Sequence, residues 1–326
     1  MEHIIPPVPR DLLKKDLTKD KLLRQSNFNN KDIYIFTAHN APNAMKEVGR
    51  LRELTFRNAG GGTGKEVDID KYDTSKKPYT QLIVWDPKRQ EIIGGYRYML
   101  GSTAEIDSSG KVQIATSGLF NLSEKFITEY LPETIELGRS FIQPNYQMRS
   151  AGRDGMYALD NLWDGLGALI INHPEVKYFF GKVTMYTNFN RYARDLILYF
   201  LKTNFPDKNN LITAINPIPL ETDEEKLKNI FTANNYTENY KILSKLVREQ
   251  GEFIPPLINA YMNLSSTMIS FGTAINKTFG EVEETGILIT IKDIYEKKKE
   301  RHVNSYIQYL RKFRENVIKK YRKHQN

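Results

Sequence analysis

Glu136 and Arg139 stand three residues apart among Ile135, Leu137, Phe141 and Ile142, a run that reads as a strand. A carboxylate held on such a strand can take a proton from an amine. Just downstream, Arg149, Ser150, Gly152, Arg153 and Gly155 form a small-residue, basic loop. A helix follows from near Met156, with Tyr157, Leu159, Leu162, Trp163 and Leu166 at helical spacing. A loop of this kind, leading from a strand into a helix N-terminus, suits an anion, because free backbone N–H groups and the helix dipole both face it. A phosphate anchor beside a base outlines an enzyme that uses a phosphate-bearing acyl carrier.

Other clusters carry less chemistry. The run Ala59-Gly60-Gly61-Gly62-Thr63-Gly64-Lys65-Glu66 imitates a phosphate loop, but it has Ala and Glu where that motif needs Gly and Ser or Thr. It also follows a helix rather than a strand, so an ATP site is rejected in favour of a flexible loop that orders over substrate. Asp68, Asp70 and Asp73 fall short of a calcium loop, which needs a longer ligand series and a bidentate Glu. They make more sense facing a substrate ammonium or pairing with Arg52 and Arg97. The five histidines show no ligand spacing, and Ser140 lacks the small-residue elbow of a hydrolase nucleophile. No metal site is expected.

The elements that must hold these residues follow from the apolar pattern. Residues 1–30 read as an arm with a short charged helix over 12–24, and residues 33–37 as a first strand. Asn43 is placed to cap a helix over 44–57 with Met45, Val48 and Leu51 on one face, ended by Gly60, Gly61 and Gly62. Residues 80–85 and 91–100 make an antiparallel hairpin around Asp86-Pro87-Lys88-Arg89-Gln90, with a further strand expected over 112–115. Beyond the central unit, the spacing predicts helices over 191–201, 238–250 and 256–262, and a helix to about Phe231 capped by Thr222 and Glu225. Short strands are expected over 211–215 and 286–291. Hairpins first, then strand–helix–strand, argue for one α/β sheet covered by helices.

At 326 residues the chain is long enough for a substantial core. The absence of cysteine excludes disulfides, thiolate metal sites and a cysteine nucleophile, and fits a reducing, cytosolic setting. The N-terminus does not read as a signal peptide, and no run approaches the roughly 18 apolar residues of a membrane span. The net charge of +8 sits in one place. Residues 297–326 hold eleven Lys and Arg against Glu300 and Glu315, so the rest of the chain is close to neutral. In the same tail Val303, Tyr306, Leu310, Phe313, Val317 and Tyr321 recur at threes and fours, opposite the cations. That is a basic amphipathic helix.

The ordered series of motifs resembles the GNAT superfamily, and within it the branch that takes acyl groups from acyl carrier protein. This branch holds the autoinducer (acyl-homoserine-lactone) synthases and the "hemolysin-like" bacterial N-acyltransferases that begin ornithine- and glycine-lipid synthesis. Arg52 and Phe56 match the Arg-x-x-x-Phe helix of the autoinducer synthases. Asp70, Tyr72 and Asp73 match their Asp-x-x-Asp pair, Arg97 in GGYRYML the Arg ending the next hairpin, and Glu136 and Arg139 their Glu-x-x-Arg strand. The lipid acyltransferases are more similar still, through ELGRSFIQPNYQMRS, the LW-containing helix, FFGKVTM and PPLINAYMNLSS. The similarity runs over residues 50–291. The N-terminal arm and the basic tail depart from it, and the Trp that autoinducer enzymes carry after the first helix has no counterpart in residues 59–64.

The resemblance implies a GNAT-like α/β fold over residues 31–292: a mixed, mostly antiparallel sheet flanked by helices, with an arm before it and the basic helix of 293–326 after it. Two central parallel strands, Thr134–Ile142 and residues 177–185, should splay apart to admit a phosphopantetheine arm. Transfer would be direct, with no permanently bound cofactor. Glu136 would act as base with Arg139 beside it, and Arg52, Phe56, Asp70, Asp73 and Arg97 would surround the acceptor. Arg149, Ser150, Gly152, Arg153 and Gly155 would hold the donor phosphate, and backbone N–H groups at the splay the oxyanion. The expected partners are acyl carrier protein, or CoA, as donor and an amino acid such as glycine or ornithine as acceptor. Anionic membrane could meet residues 297–326 from the cytoplasmic side, and no nucleic acid is expected. The rival readings are a homoserine-lactone synthase, an acetyl-CoA-dependent enzyme on the same fold, and a membrane-active lytic protein.

Overall fold

The computed structural model describes residues 1–147 and 152–323, with backbone alone for 153, 154 and 316–323. In chain order the first half runs α1 (Arg10–Asp16), β1 (Leu22–Gln25), β2 (Asp32–Phe36), α2 (Pro42–Asn58), α3 (Lys71–Thr74), β3 (Thr80–Asp86) and β4 (Glu91–Leu100). Then come β5 (Phe120–Leu122), β6 (Thr134–Ile142), α4 (Gly152–Asn172), β7 (Tyr178–Met185), α5 (Arg191–Asn204) and β8 (Ile212–Ala214). The last part holds α6 (Glu224–Lys228), α7 (Tyr236–Glu249), α8 (Pro256–Met262), β9 (Ile269–Asn276), β10 (Val282–Thr290), α9 (Glu296–Lys299) and α10 (Ser305–Lys323).

Eight strands form one mixed sheet in the order β1-β2-β3-β4-β6-β7-β10-β9, and β5 and β8 pair in a small second sheet. Every neighbouring pair in the large sheet is antiparallel except β6 and β7, which run parallel because α4 carries the chain back between them. Both faces are covered, so β3 reads as a nearly unbroken apolar run. Its alternate residues feed two cores: Leu82 and Val84 join the core that includes α4, α5 and α7, whereas Ile83 and Trp85 join the core that includes α1 and α2.

Several local expectations gave way to tertiary contacts. The helix expected over 12–24 stops at Asp16, and Leu22–Gln25 instead adds an edge strand to β2. Asn43 caps nothing through its side chain; its backbone N–H donates to Asp16 at 2.6 Å, so a carboxylate from α1 serves the start of α2. Likewise α6 is capped by Asp223 rather than Thr222. The 112–115 strand reduces to a single bridge between Ile106 and Val112, and β9 was not foreseen. The glycine-rich loop is tied down: the Glu53 carboxylate accepts from the Thr63 N–H at 2.9 Å and the Gly64 N–H at 2.8 Å, while Glu2 N–H bonds the Gly64 carbonyl at 2.7 Å.

The root of the C-terminal helix is clamped between α4 and the N-terminal strand. His302 Nδ1 meets Asp164 Oδ1 at 2.8 Å, and the other oxygen of Asp164 accepts from Asn27 N–H at 2.7 Å. Gly167 permits this approach, since a Cβ there would lie 2.2 Å from the His302 carbonyl oxygen. Tyr306 is buried, but farther out Leu310 and Phe313 stand exposed beside Arg311, Lys312 and Arg314. Packing among the described residues therefore uses the part of the apolar stripe up to Tyr306 and leaves Leu310 and Phe313 uncovered. Among the described residues, no helix is long and apolar enough to cross a membrane.

Candidate active site

The ladder between β6 and β7 covers only three residue pairs, Thr134↔Tyr178, Ile135↔Phe179 and Glu136↔Phe180. Both strands continue for several residues past the last pair without meeting again. Each remains bonded on its outer side, β6 to β4 and β7 to β10, so the sheet opens along one seam. On β6 the seam coincides with a bulge: Gly95 and Arg97 of β4 face Phe141 and Gly138, which leaves one extra residue on β6. Arg139 sits in that bulge with φ +52°, the left-handed region a non-glycine residue occupies at a cost of about 1 kcal/mol. The bulge turns its guanidinium toward Asp68 and over the Phe279 ring, 4.1 Å from the centroid.

Glu136 is the last paired residue before the seam opens, and it is buried. Its Oε1 accepts from the Thr116 N–H at 2.8 Å, and its Oε2 accepts a short hydrogen bond from the Tyr79 hydroxyl. Tyr79 in turn accepts from the Ala115 N–H at 2.9 Å. Burial raises the Tyr79 pKa well above its ordinary value, and the Glu136 charge raises it further, so Tyr79 remains a donor to Glu136. A carboxylate has about four lone-pair positions, so both oxygens keep capacity for a proton or a substrate N–H. The hydroxyls of Thr116 and Ser117 are buried beside it with no hydrogen-bond partner among the described residues.

A chain of ion pairs backs this group. Arg97 donates to both oxygens of Asp70, at 2.7 and 2.8 Å, and to Asp73 at 2.8 Å. Asp73 also accepts from Arg52 at 3.2 Å and from the Gln81 amide at 3.0 Å. The Asp-x-x-Asp spacing has a local origin: Asp70 caps α3 and Asp73 returns a bond to the Asp70 N–H, a reciprocal capping box. Burial would push both carboxyls up, but the guanidinium groups outweigh it and hold both below their ordinary range, Asp73 furthest. Arg139 pairs with the fully buried Asp68 at 2.8 Å and lies 3.8 Å from Asp70.

A cavity opens at the seam. Its walls are Tyr96, Leu137, Leu159, Leu162, Trp163, Leu166, Leu257 and Tyr261, with Gly138, Arg139, Ser140 and Lys182 at the polar end. The apolar wall comes largely from α4, and the polar end from the two parted strands. Gly181 lets the two strands lie close where the seam begins, because a Cβ there would stand 2.8 Å from the Leu137 carbonyl oxygen. Gly181→Val is accordingly expected to destabilise the fold by about 1–3 kcal/mol, because the strands must shift to admit the side chain. Urea unfolding midpoints measure this, and an unchanged midpoint would mean that the strands part there at no cost.

Comparison with known proteins bears on what such a seam is for. Residues 51–153 match the acetyltransferase (GNAT) domain family. A glycine N(alpha)-acyltransferase of Bacteroides thetaiotaomicron is 56% identical over 94% of this chain and 91% of its own. Another, from Phocaeicola vulgatus, is 55% identical over 94% of each chain. The chain belongs to the GNAT-type N-acyltransferases. Among solved structures, a CoA-dependent acyl-homoserine lactone synthase is 13% identical over 51% of this chain and 72% of its own, with a TM-score of 0.30, too slight a likeness to argue from.

The acyltransferase brings most of the sequence-predicted residues together, in unequal roles. Glu136 and Arg139 flank the seam, and Arg97, Asp70, Asp73 and Arg52 form one connected network. Arg52 and Asp73 are fully buried, and Arg52 is joined to Arg97 through the Asp73 carboxylate that both bond. Phe56 does not line the cavity; it packs edge-on against Phe279, the ring beneath Arg139. Arg149 and Ser150 lie outside the described residues, as does the Arg153 side chain. Gly152 and Gly155 stand in the first turn of α4. Tyr79, Thr116, Gln81 and Lys182 were missed. Only Lys182 gave any signal, as a charge inside the apolar run of β7.

Proposed function

We propose that this N-acyltransferase moves a long (3-hydroxy)fatty acyl group from the phosphopantetheine thioester of acyl carrier protein to the α-amine of glycine, as a step toward an aminolipid. The observation that carries the reading is the seam itself: pairing ends at Glu136, and an apolar cavity with a polar end begins there. An extended thioester fits between parted strands as a substitute strand, with its carbonyl toward the unpaired backbone N–H groups. Glycine as acceptor is supported by the two relatives, both glycine N(alpha)-acyltransferases.

The chemistry follows from the groups present. The acceptor reaches the site as an ammonium, and Glu136, directly or through a water, takes one proton. The freed lone pair attacks the thioester carbonyl carbon, and the oxyanion is met by backbone N–H groups along the seam. Collapse breaks the C–S bond, the departing thiolate takes the second proton from the attacking nitrogen as the amide forms, and Glu136 passes its proton to solvent. Arg149, Ser150, Gly152, Arg153 and Gly155 hold the donor phosphate at the start of α4. Asp70, Arg97 and Arg139 shape the acceptor side, with Arg52, Phe56 and Asp73 supporting them. The enzyme works at the cytoplasmic face of the membrane, where exposed Leu310 and Phe313 with the cations of α10 suit an anionic lipid surface that receives the product.

Mass spectrometry of lipids from cells expressing the protein tests this reading. A new N-acylglycine lipid is expected. An N-acylornithine or a homoserine lactone in its place would change the acceptor, and an N-acetylated product the donor.

A further inference from the structure

We propose that Lys182, set opposite Arg139 across the parted strands, binds the α-carboxylate of the acceptor and so makes the enzyme select an amino acid over a plain amine. The inference rests on the amino-acid acyltransferase reading above and adds to it a residue that determines specificity. Of the cations around Glu136, Arg139 and Lys182 line the cavity, whereas Arg52 and Arg97 do not. Their side chains keep 14% and 12% exposure, against 0% and 2% for Arg52 and Arg97, so an incoming carboxylate can reach the first two only.

Both retain donors. Lys182 makes one close ion pair, to the buried Glu284 of β10, which leaves two of the three ammonium N–H groups uncommitted. Arg139 Nε lies 2.8 Å from Asp68 but makes no hydrogen bond to it, and its Nη2 is 3.8 Å from Asp70. A thioester is uncharged at its reacting end, so two cations at the seam serve no need of the donor there. An α-amino acid does need them, since its carboxylate is one carbon away from the amine. Lys182 is two residues beyond Phe180, the strand partner of Glu136, and therefore points to the same face as the base. Burial, reinforced by Arg139 and Arg97, lowers the Lys182 pKa well below its ordinary value. A carboxylate bound against it favours the charged form, so acceptor binding and charging of Lys182 support one another.

The test compares glycine with glycinamide, which keeps the amine and loses the anion, using the purified full chain as wild type, Lys182→Met and Lys182→Arg. Wild type is expected to prefer glycine in kcat/KM. Lys182→Met should shrink that preference by roughly 10- to 100-fold, mainly through the KM for glycine, whereas Lys182→Arg should retain most of it. Should the first variant fail to fold, Lys182→Gln combined with Glu284→Gln keeps a neutral hydrogen-bonded pair and should shrink the preference likewise. Equal losses on both acceptors, with the preference intact, would overturn the proposal and leave Lys182 as a packing partner of Glu284. A wild type indifferent to the carboxylate would overturn it as well. No transfer to either acceptor would instead remove the amino-acid reading beneath it.

Discussion

Glu136→Gln is expected to lower transfer to glycine by about 10²- to 10⁴-fold while the protein stays folded. The amide can keep both local contacts: its oxygen still accepts from the Thr116 N–H, and its NH2 can donate to the Tyr79 oxygen. What it cannot do is accept a proton at neutral pH. The loss should therefore fall on kcat, with an unchanged thermal unfolding midpoint. Residual activity should climb with pH as more of the acceptor arrives as free amine, since the missing step is then supplied by solvent. Rate–pH profiles of the two proteins give both readings. Turnover near wild type would remove Glu136 from the role of base.

The second large effect is on stability. Asp73→Asn should destabilise the fold by about 3–5 kcal/mol, because Asp73 is fully buried between two guanidinium groups. Without its charge, Arg52 keeps only the Gln81 amide oxygen and Arg97 only Asp70, so buried positive charge is left poorly compensated. The same carboxylate gives wild type an acid-sensitive component. Burial favours the neutral acid, but Arg52 and Arg97 outweigh it and depress the folded-state pKa below the unfolded value of about 3.9. The stabilisation is therefore complete above that unfolded value and is lost as pH falls toward the folded one. Urea midpoints should drop for wild type below about pH 5 and drop less steeply for the variant. Parallel pH profiles would show that Asp73 carries no net stabilising charge.

The parts of the site that repeat at short spacing were legible in the sequence. Glu136 and Arg139 share one strand, Asp70 and Asp73 one capping box, and the nearly continuous apolar runs of β3 and β4 mark a sheet buried on both faces. What joins them was not. Tyr79 reaches Glu136 across 57 residues and Thr116 across 20, and neither position has a local pattern of its own. Asp68, Asp70 and Asp73 were readable as partners for arginines, but the pairing of Asp68 with Arg139 depends on a bulge that no linear motif announces. β1 was read as helix because its leucines continue a helical spacing from α1. Pairing with β2 decided otherwise, and it set Arg24 where its guanidinium holds the Asn27 side chain at 2.8 Å. The tail's periodicity was plain, yet only the fold shows that Tyr306 is packed while Leu310 and Phe313 stand uncovered.

The most direct test is a reconstituted reaction of the purified protein with isotopically labelled glycine and a long-chain acyl group carried either on acyl carrier protein or on CoA. Mass spectrometry would follow the amide, and a thiol reagent the released phosphopantetheine. The expected result is one N-acylglycine per thiol released, with acyl carrier protein much the better donor. Thiol release without N-acylglycine, or acylation of glycine from neither donor, would contradict the account.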